Sequence, residues 1–325
     1  MSDHAIAGEP SLLSRVAAAR ELPTVVAIAV LALVIAIGNP SFLSLYNMQL
    51  LGKEVGVLGM MAIGEMVVII TGGIDLSAGA VVALTSVLAA MGLQAGIPVG
   101  LVVLGIVFVC VLIGLAHSFF INTVGLAPFI ITLGTMSILR GVVLVLTTGY
   151  PVKITDPGFL LLGQGNLLGV PLQFILLIVV AVIAGVALTA TPFGRYVYTI
   201  GNNPVATRLS GVRVSRVTTF AYVQASVLFG LGGLVYAARL GQGMPGIGNG
   251  LELSLIAAAV IGGTSITGGA GTVWGTAIGA VLISLIMNAL NMLRVSYFWQ
   301  DFVMGLVIVL AVMFDALNRK RRVAR

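Results

Sequence analysis

Charge is the first thing this sequence has little of. Only 8% of its 325 residues are Asp, Glu, Lys or Arg, against about 25% in soluble domains. A chain so poor in charge could not cover its own surface in water, and the bilayer is its natural solvent. Cysteine occurs once, as Cys110 inside an apolar run. That excludes a disulfide within the chain and a cysteine cluster for a metal. The two histidines, His4 and His117, are too far apart along the chain to suggest a site. There is no His-Glu-x-x-His pattern and no evident nucleophile–base pair, so an intramembrane enzyme is remote. The three lysines, Lys53, Lys153 and Lys320, precede Glu54, Ile154 and Arg321. A P-loop needs Lys followed by Ser or Thr, so any ATP is expected to be bound with Mg2+ and hydrolysed in another chain. No cofactor or metal is expected in this one.

What the chain does have is apolar length. Hydrophobic residues make up 59% of it and mean hydropathy is +1.17. Ten apolar stretches stand out, near 23–38, 54–71, 78–94, 98–118, 127–147, 172–190, 218–239, 252–263, 272–290 and 301–316. They predict an all-α, polytopic helical bundle of about ten spans, some of them broken. Residues 1–22 are polar and mixed, and no cleavage motif follows the first apolar run, so that run is expected to stay as a span. The predicted division is a cytoplasmic tail (1–22), one membrane domain (23–316) with a cytoplasmic loop at 191–217, and a basic tail (317–325). Glycine is abundant, 42 residues in all, which lets helices approach closely and lets spans break.

The net charge of +6 reads as topology, not nucleic-acid binding, because basic residues sit at the ends of apolar stretches. With both termini inside, eleven fall on the cytoplasmic side: Arg15, Arg20, Arg195, Arg208, Arg213, Arg216, Arg319, Lys320, Arg321, Arg322 and Arg325. Three, Lys53, Lys153 and Arg294, fall outside. That asymmetry fits the positive-inside rule and an even number of spans.

Two polar glycine-rich breaks interrupt the apolar pattern, at Gly72-Gly73-Ile74-Asp75-Leu76-Ser77 and at 262–269. Paired broken spans in the two halves of a chain point to a transport path. The loop at 191–217 predicts one short helix outside the membrane. Asn203 is its N-cap, Pro204 its first residue and Gly211 its stop. Such a helix is either a place for a partner to push or a plain connection between spans.

Taken together these stretches resemble the ABC-transporter permeases for ribose and related monosaccharides. The loop carries Gly194, Arg195, Tyr198, Ile200, Gly201, Asn203, Ala206, Arg208, Ser210 and Gly211 of that family's pattern. Thr71 to Gly79, Pro128 to Thr135 with Arg140-Gly141, and Ile261 to Thr272 with Asn288 match further motifs. The matches run from about residue 50 to 315. Glu65, Pro204, Thr207 and Ala289 depart from the commonest choices, which leaves the sugar open. The resemblance implies import of a monosaccharide by alternating access in a bacterial inner membrane. It also implies partners: ABC ATPase subunits, a second permease copy and an extracytoplasmic sugar-binding protein. Arg195, Asn203, Pro204, Ala206, Thr207, Arg208, Ser210 and Gly211 would couple to the ATPase.

Candidate path residues are Glu65, Gly72, Gly73, Asp75, Ser77, Phe129, Thr132, Arg140, Thr264, Ser265 and Asn288, with Thr135 beside them. A charge inside a span is costly unless it is paired or wet. Glu65 and Arg140 therefore line a path or form an ion pair, Arg140 with Glu65 or Asp75. Asp75 is equally a helix cap. The Ser, Thr and Phe candidates serve as well in helix packing or against lipid. An ion-coupled secondary transporter and a branched-chain amino-acid permease are the competing readings, the first needing no external motor.

Overall fold

The computed structural model describes residues 22–296, 299–300, 302–310 and 313. The basic residues counted above in the two tails lie outside them.

Helix α1 (Leu22–Gly38) is apolar and stops before Asn39, whose side chain caps a 3-10 turn at Pro40–Leu43. Ser44 then accepts a bond from Asn47 N and starts α2 (Leu45–Ile70). This helix begins well before the predicted 54. From Val55 to Ile70 every residue of α2 is buried, as a helix apolar on all sides must be. An irregular stretch, 71–77, leads into α3 (Ala78–Gln94). A tight turn at Gly96, with φ +76°, returns the chain into α4 (Val99–Phe119), which ends in a π-turn at Phe120–Val124. Pro128 opens α5 (Pro128–Thr147). Asp156 caps α6 (Pro157–Gln164), and α7 (Leu172–Ala190) follows.

The predicted loop at 191–217 holds two helices where one was expected: α8 (Pro192–Asn202) and α9 (Pro204–Leu209). Gly194 and Gly201 mask α8 in the sequence, since glycine is a poor helix former. Its buried residues Gly194, Val197 and Ile200 nevertheless recur at a spacing of three. The long α10 (Val214–Leu240) ends at Gly241, and α11 (Leu251–Ile261) and α12 (Val273–Met292) follow. Residues 302–310, within the tenth predicted stretch, are also helical.

Among the described residues five helices are long and apolar enough to cross a membrane: α4 with its π-turn, α5, α7, α10 and α12. Helices α1, α3 and α11 are apolar but shorter. At 1.5 Å per residue, α11 would cover roughly 17 Å of a hydrocarbon core about 30 Å thick.

Helices α2 and α10 form the centre. The first packs on α7, α10, α11 and α12, the second on α2, α3, α4 and α6. Large apolar side chains such as Leu33, Leu104, Phe108, Ile138, Val145 and Ile183 stay exposed on α1, α4, α5 and α7. No water-soluble protein presents so much apolar surface, and a lipid environment accounts for it.

The bundle has two distinct ends. At one, Gln94 Nε2 donates to Lys153 O, and β1 (Val152–Lys153) pairs antiparallel with a short strand at Gln242–Gly243. At the other, α8 lies against the end of α2 and residues 268–271, and α9 packs on α8 and α10.

Candidate functional site

The end that carries α8 and α9 is built backbone on backbone. Gly269 N donates to Ile70 O at 2.9 Å, which ties the two glycine breaks to each other. Gly201 of α8 lies directly on that bond. A Cβ there would overlap both the Ile70 carbonyl and the Gly269 amide. Tyr198 Oη donates to Gly271 O at 2.9 Å, and burial pushes its phenol above the ordinary tyrosine value, so it stays a donor.

Helix α9 is punctuated as the sequence predicts. Asn203 Oδ1 accepts from Ala206 N, Pro204 is the first helical residue, and Gly211 leaves with φ +84°. Thr207 is its buried residue, and its Oγ1 donates to Asn203 O. Ser210 Oγ donates to Ala206 O. Arg195 and Arg208 are exposed, and so are the apolar Val205 and Leu209. The face that α9 shows to its surroundings is therefore mixed, with apolar knobs beside a cation.

A second group lies deeper. Gly72, with φ +85°, turns the chain back so that Asp75 N donates to Glu65 Oε1 at 3.0 Å. Asp75 Oδ1 accepts from Ser77 N at 2.9 Å and from Ser77 Oγ at 2.6 Å. Its Oδ2 lies 3.5 Å from His117 Nδ1 of α4. His117 meets Tyr222 of α10 edge to face, and Gly73 leaves the room that the Tyr222 hydroxyl occupies. Thr132 Oγ1 of α5 donates to Ile74 O at 3.2 Å. Glu65, Asp75, Ser77 and Thr132 are fully buried.

This cluster corrects two expectations. Asp75 does not cap α3 itself; it holds Ser77, the residue before the helix. Arg140 pairs with neither Glu65 nor Asp75, because Asp75 already faces His117. His117, set aside in the sequence for want of a second histidine, and Tyr222, which nothing there marks, have partners far away along the chain. A histidine in a span was the available signal, since ionisable groups there are rare.

Arg140 belongs to a third group. Segment 242–250 runs back along α3, with Gly243 against Ser86 and Val87, and Gly248 against Gly79. A Cβ on Gly79 would collide with Gly248 O and the Glu252 carboxylate. Arg140 Nη2 donates to Gly248 O at 3.0 Å. Glu252 stands in the first turn of α11, and its Oε2 is buried without a hydrogen-bond partner among the described residues.

Beside this junction lies a cavity of about 490 Å³, lined by α2, α10, residues 247–251, α11, α12 and residues 300 and 304. Its polar lining includes Glu54, Tyr236, Asn249, Ser254 and Ser284. Glu54 is fully engaged, by Tyr236 Oη at 2.9 Å and by Arg239 Nη1 at 2.6 Å. None of these residues stood out in the sequence, although Glu54 begins an apolar run and Asn249 sits in a glycine-rich stretch. Among the described residues no group of three His, Cys, Asp or Glu could hold a metal ion.

The remaining candidates do not join the cavity. Asn288 is locked in a reciprocal amide pair with Asn47, at 2.8 and 3.2 Å. Thr264 is buried against Thr276, and Ser265 Oγ meets Thr267 Oγ1. Phe129 is exposed on the outside of the bundle.

Residues 52–312 match the family described as branched-chain amino acid transport system / permease component. Among curated proteins, a ribose import permease protein of Bacillus subtilis is 42% identical over 289 residues, 88% of this chain and 89% of that one. A ribose import permease protein of Escherichia coli is 36% identical over 305 residues, 93% of this chain and 94% of that one. A D-allose transport system permease protein of Escherichia coli is 36% identical over 296 residues, covering 90% and 91%. No solved structure matches the chain.

Proposed function

The chain belongs to the family of ABC-transporter sugar permeases, and from that premise we propose that it is the membrane subunit of an ATP-driven monosaccharide importer. The substrate class is a ribose-like pentose or a hexose, in keeping with relatives named for ribose and D-allose. The chain crosses a bacterial inner membrane ten times with both termini inside. Residues 1–22 and 317–325 are cytoplasmic tails and 191–217 is the coupling segment. It works with a second permease copy, a sugar-binding protein outside, and ATPase subunits that bind ATP-Mg.

The observation that carries this reading is the seating of α8 on both glycine breaks, with α9 exposed beside it. A push on α9 moves α8, and α8 touches Ile70 at the end of α2 and Gly269 between α11 and α12. Those contacts reach the two places where the bundle is broken, as alternating access requires. A secondary transporter would have no use for a capped, exposed helix rooted in this way.

The test is Arg208→Glu, with the chain expressed beside its ATPase and binding protein. The variant protein stays in the membrane, while uptake of radiolabelled D-ribose or D-allose falls at least tenfold. Undiminished uptake would overturn the coupling role. Uptake that survives ATP depletion and collapses with an uncoupler would overturn the ATP-driven reading.

A further inference from the structure

The cavity beside α11 has an unusual charge arrangement for a site in a membrane. Its volume, about 490 Å³, falls in the range of small-ligand pockets, roughly 300–1,000 Å³. The N-terminus of α11 opens onto it through Gly248, Asn249 and Gly250. A free helix N-terminus favours an anion. Here a carboxylate already stands in that first turn, that of Glu252. The carboxylate that lines the cavity, Glu54, is closed off by Arg239 and Tyr236. The charge on the cavity wall therefore has its partners within the protein.

What remains for a solute is neutral. Ser284 Oγ is buried in the cavity wall without a hydrogen-bond partner among the described residues. A buried hydroxyl left unpaired is costly, and a solute hydroxyl would satisfy it. Asn249 and Ser254 add uncharged donors and acceptors on the α11 side, and Leu58, Ile247 and Met287 supply apolar wall. Polar points on an apolar wall suit a ring with hydroxyls around its edge and C–H groups on its faces.

We infer that this cavity is a binding site for a neutral monosaccharide in transit, and that with Glu54 paired internally its wall offers anions and zwitterions no free charge. The inference rests on the proposed import function and deepens it. It makes the site itself a filter that separates a sugar from an amino acid of similar size. Asn249, Ser254 and Ser284 become the residues that read the solute.

The site can be tested by thiol protection. The only native cysteine, Cys110, is buried and provides a silent background. Asn249→Cys, in the full chain within native membranes and beside its partner proteins, is labelled with N-ethylmaleimide. Millimolar D-ribose or D-allose is expected to slow labelling at least threefold, and L-leucine to leave it unchanged. With Ser284→Ala added, the sugar concentration giving half protection rises several-fold.

No protection by either sugar, or equal protection by sugar and leucine, overturns the site. Unchanged half protection in the Ser284→Ala protein overturns the role of Ser284. Sugar uptake by the unmodified chain is measured in the same cells. Uptake without protection sinks the site alone, whereas leucine uptake in place of sugar uptake sinks the proposed function.

Discussion

Two non-helical segments run into the bundle from opposite ends, each feeding a short apolar helix. Residues 71–77 lead from the α8 end into α3, and residues 242–250 lead from the β1 end into α11. The second meets the first turn of α3, just past the first, where Gly79 packs on Gly248. Their surroundings differ. The first is sealed: Glu65, His117 and Thr132 grip it from α2, α4 and α5, Ser77 holds Asp75 within it, and Glu65, Asp75 and Ser77 are wholly buried. The second borders a cavity, is held at Gly248 by Arg140 of α5, and is half exposed along much of its length. One broken segment is a support and the other is a wall of the path. Glycine in a break does not by itself assign its role.

Five substitutions, one of them added to another, break or sharpen that contrast. The largest effect is expected from Asp75→Ala, which strips the acceptor of both Ser77 bonds and removes the carboxylate that faces His117. Buried polar groups left unpaired cost about 1–3 kcal/mol each, so yield and thermal stability in detergent should fall sharply. Next comes Gly79→Ala at the meeting point, where a methyl group strikes the Gly248 carbonyl. Overpacking of that kind costs about 1–3 kcal/mol and should lower the melting temperature without abolishing assembly. Arg140→Gln on the open segment should instead spare the fold and impair uptake severalfold. Adding Glu252→Gln, which removes the charge Arg140 faces, should restore part of it. The smallest effect belongs to Thr132→Val, which loses one hydrogen bond to Ile74 O worth about 1 kcal/mol. If Asp75→Ala were stable while Arg140→Gln unfolded the protein, the two roles would be the wrong way round.

The helices were largely legible because apolar runs bounded by proline and glycine announce themselves. The runs at 78–94, 127–147 and 172–190 lie within a residue of α3, α5 and α7. The capping of α9 by Asn203 followed from residue type alone. Other features were hidden for physical reasons. Helix α8 carries two glycines because it must touch backbone, and those glycines disguise it. The Asp75–His117 contact joins residues 42 apart in number, and nothing local marks it. The cavity is lined from five separate stretches, and its most telling residue, Ser284, is an ordinary serine in an apolar helix. Asn288 stood out more in the sequence, yet its amide is consumed by Asn47.

The contact of Gly201 with Ile70 and Gly269 has a mechanical corollary. Joints made of side chains have play in them, since rotamers shift and absorb the first part of any displacement. Here main chain bears on main chain, and no rotatable bond stands between α8 and the two breaks. A stroke of an ångström delivered to the coupling helices would arrive undiminished, like motion through meshed gears without backlash. Glycine at 201 would then be the tooth that sets the fit, and even a methyl group there would jam the train.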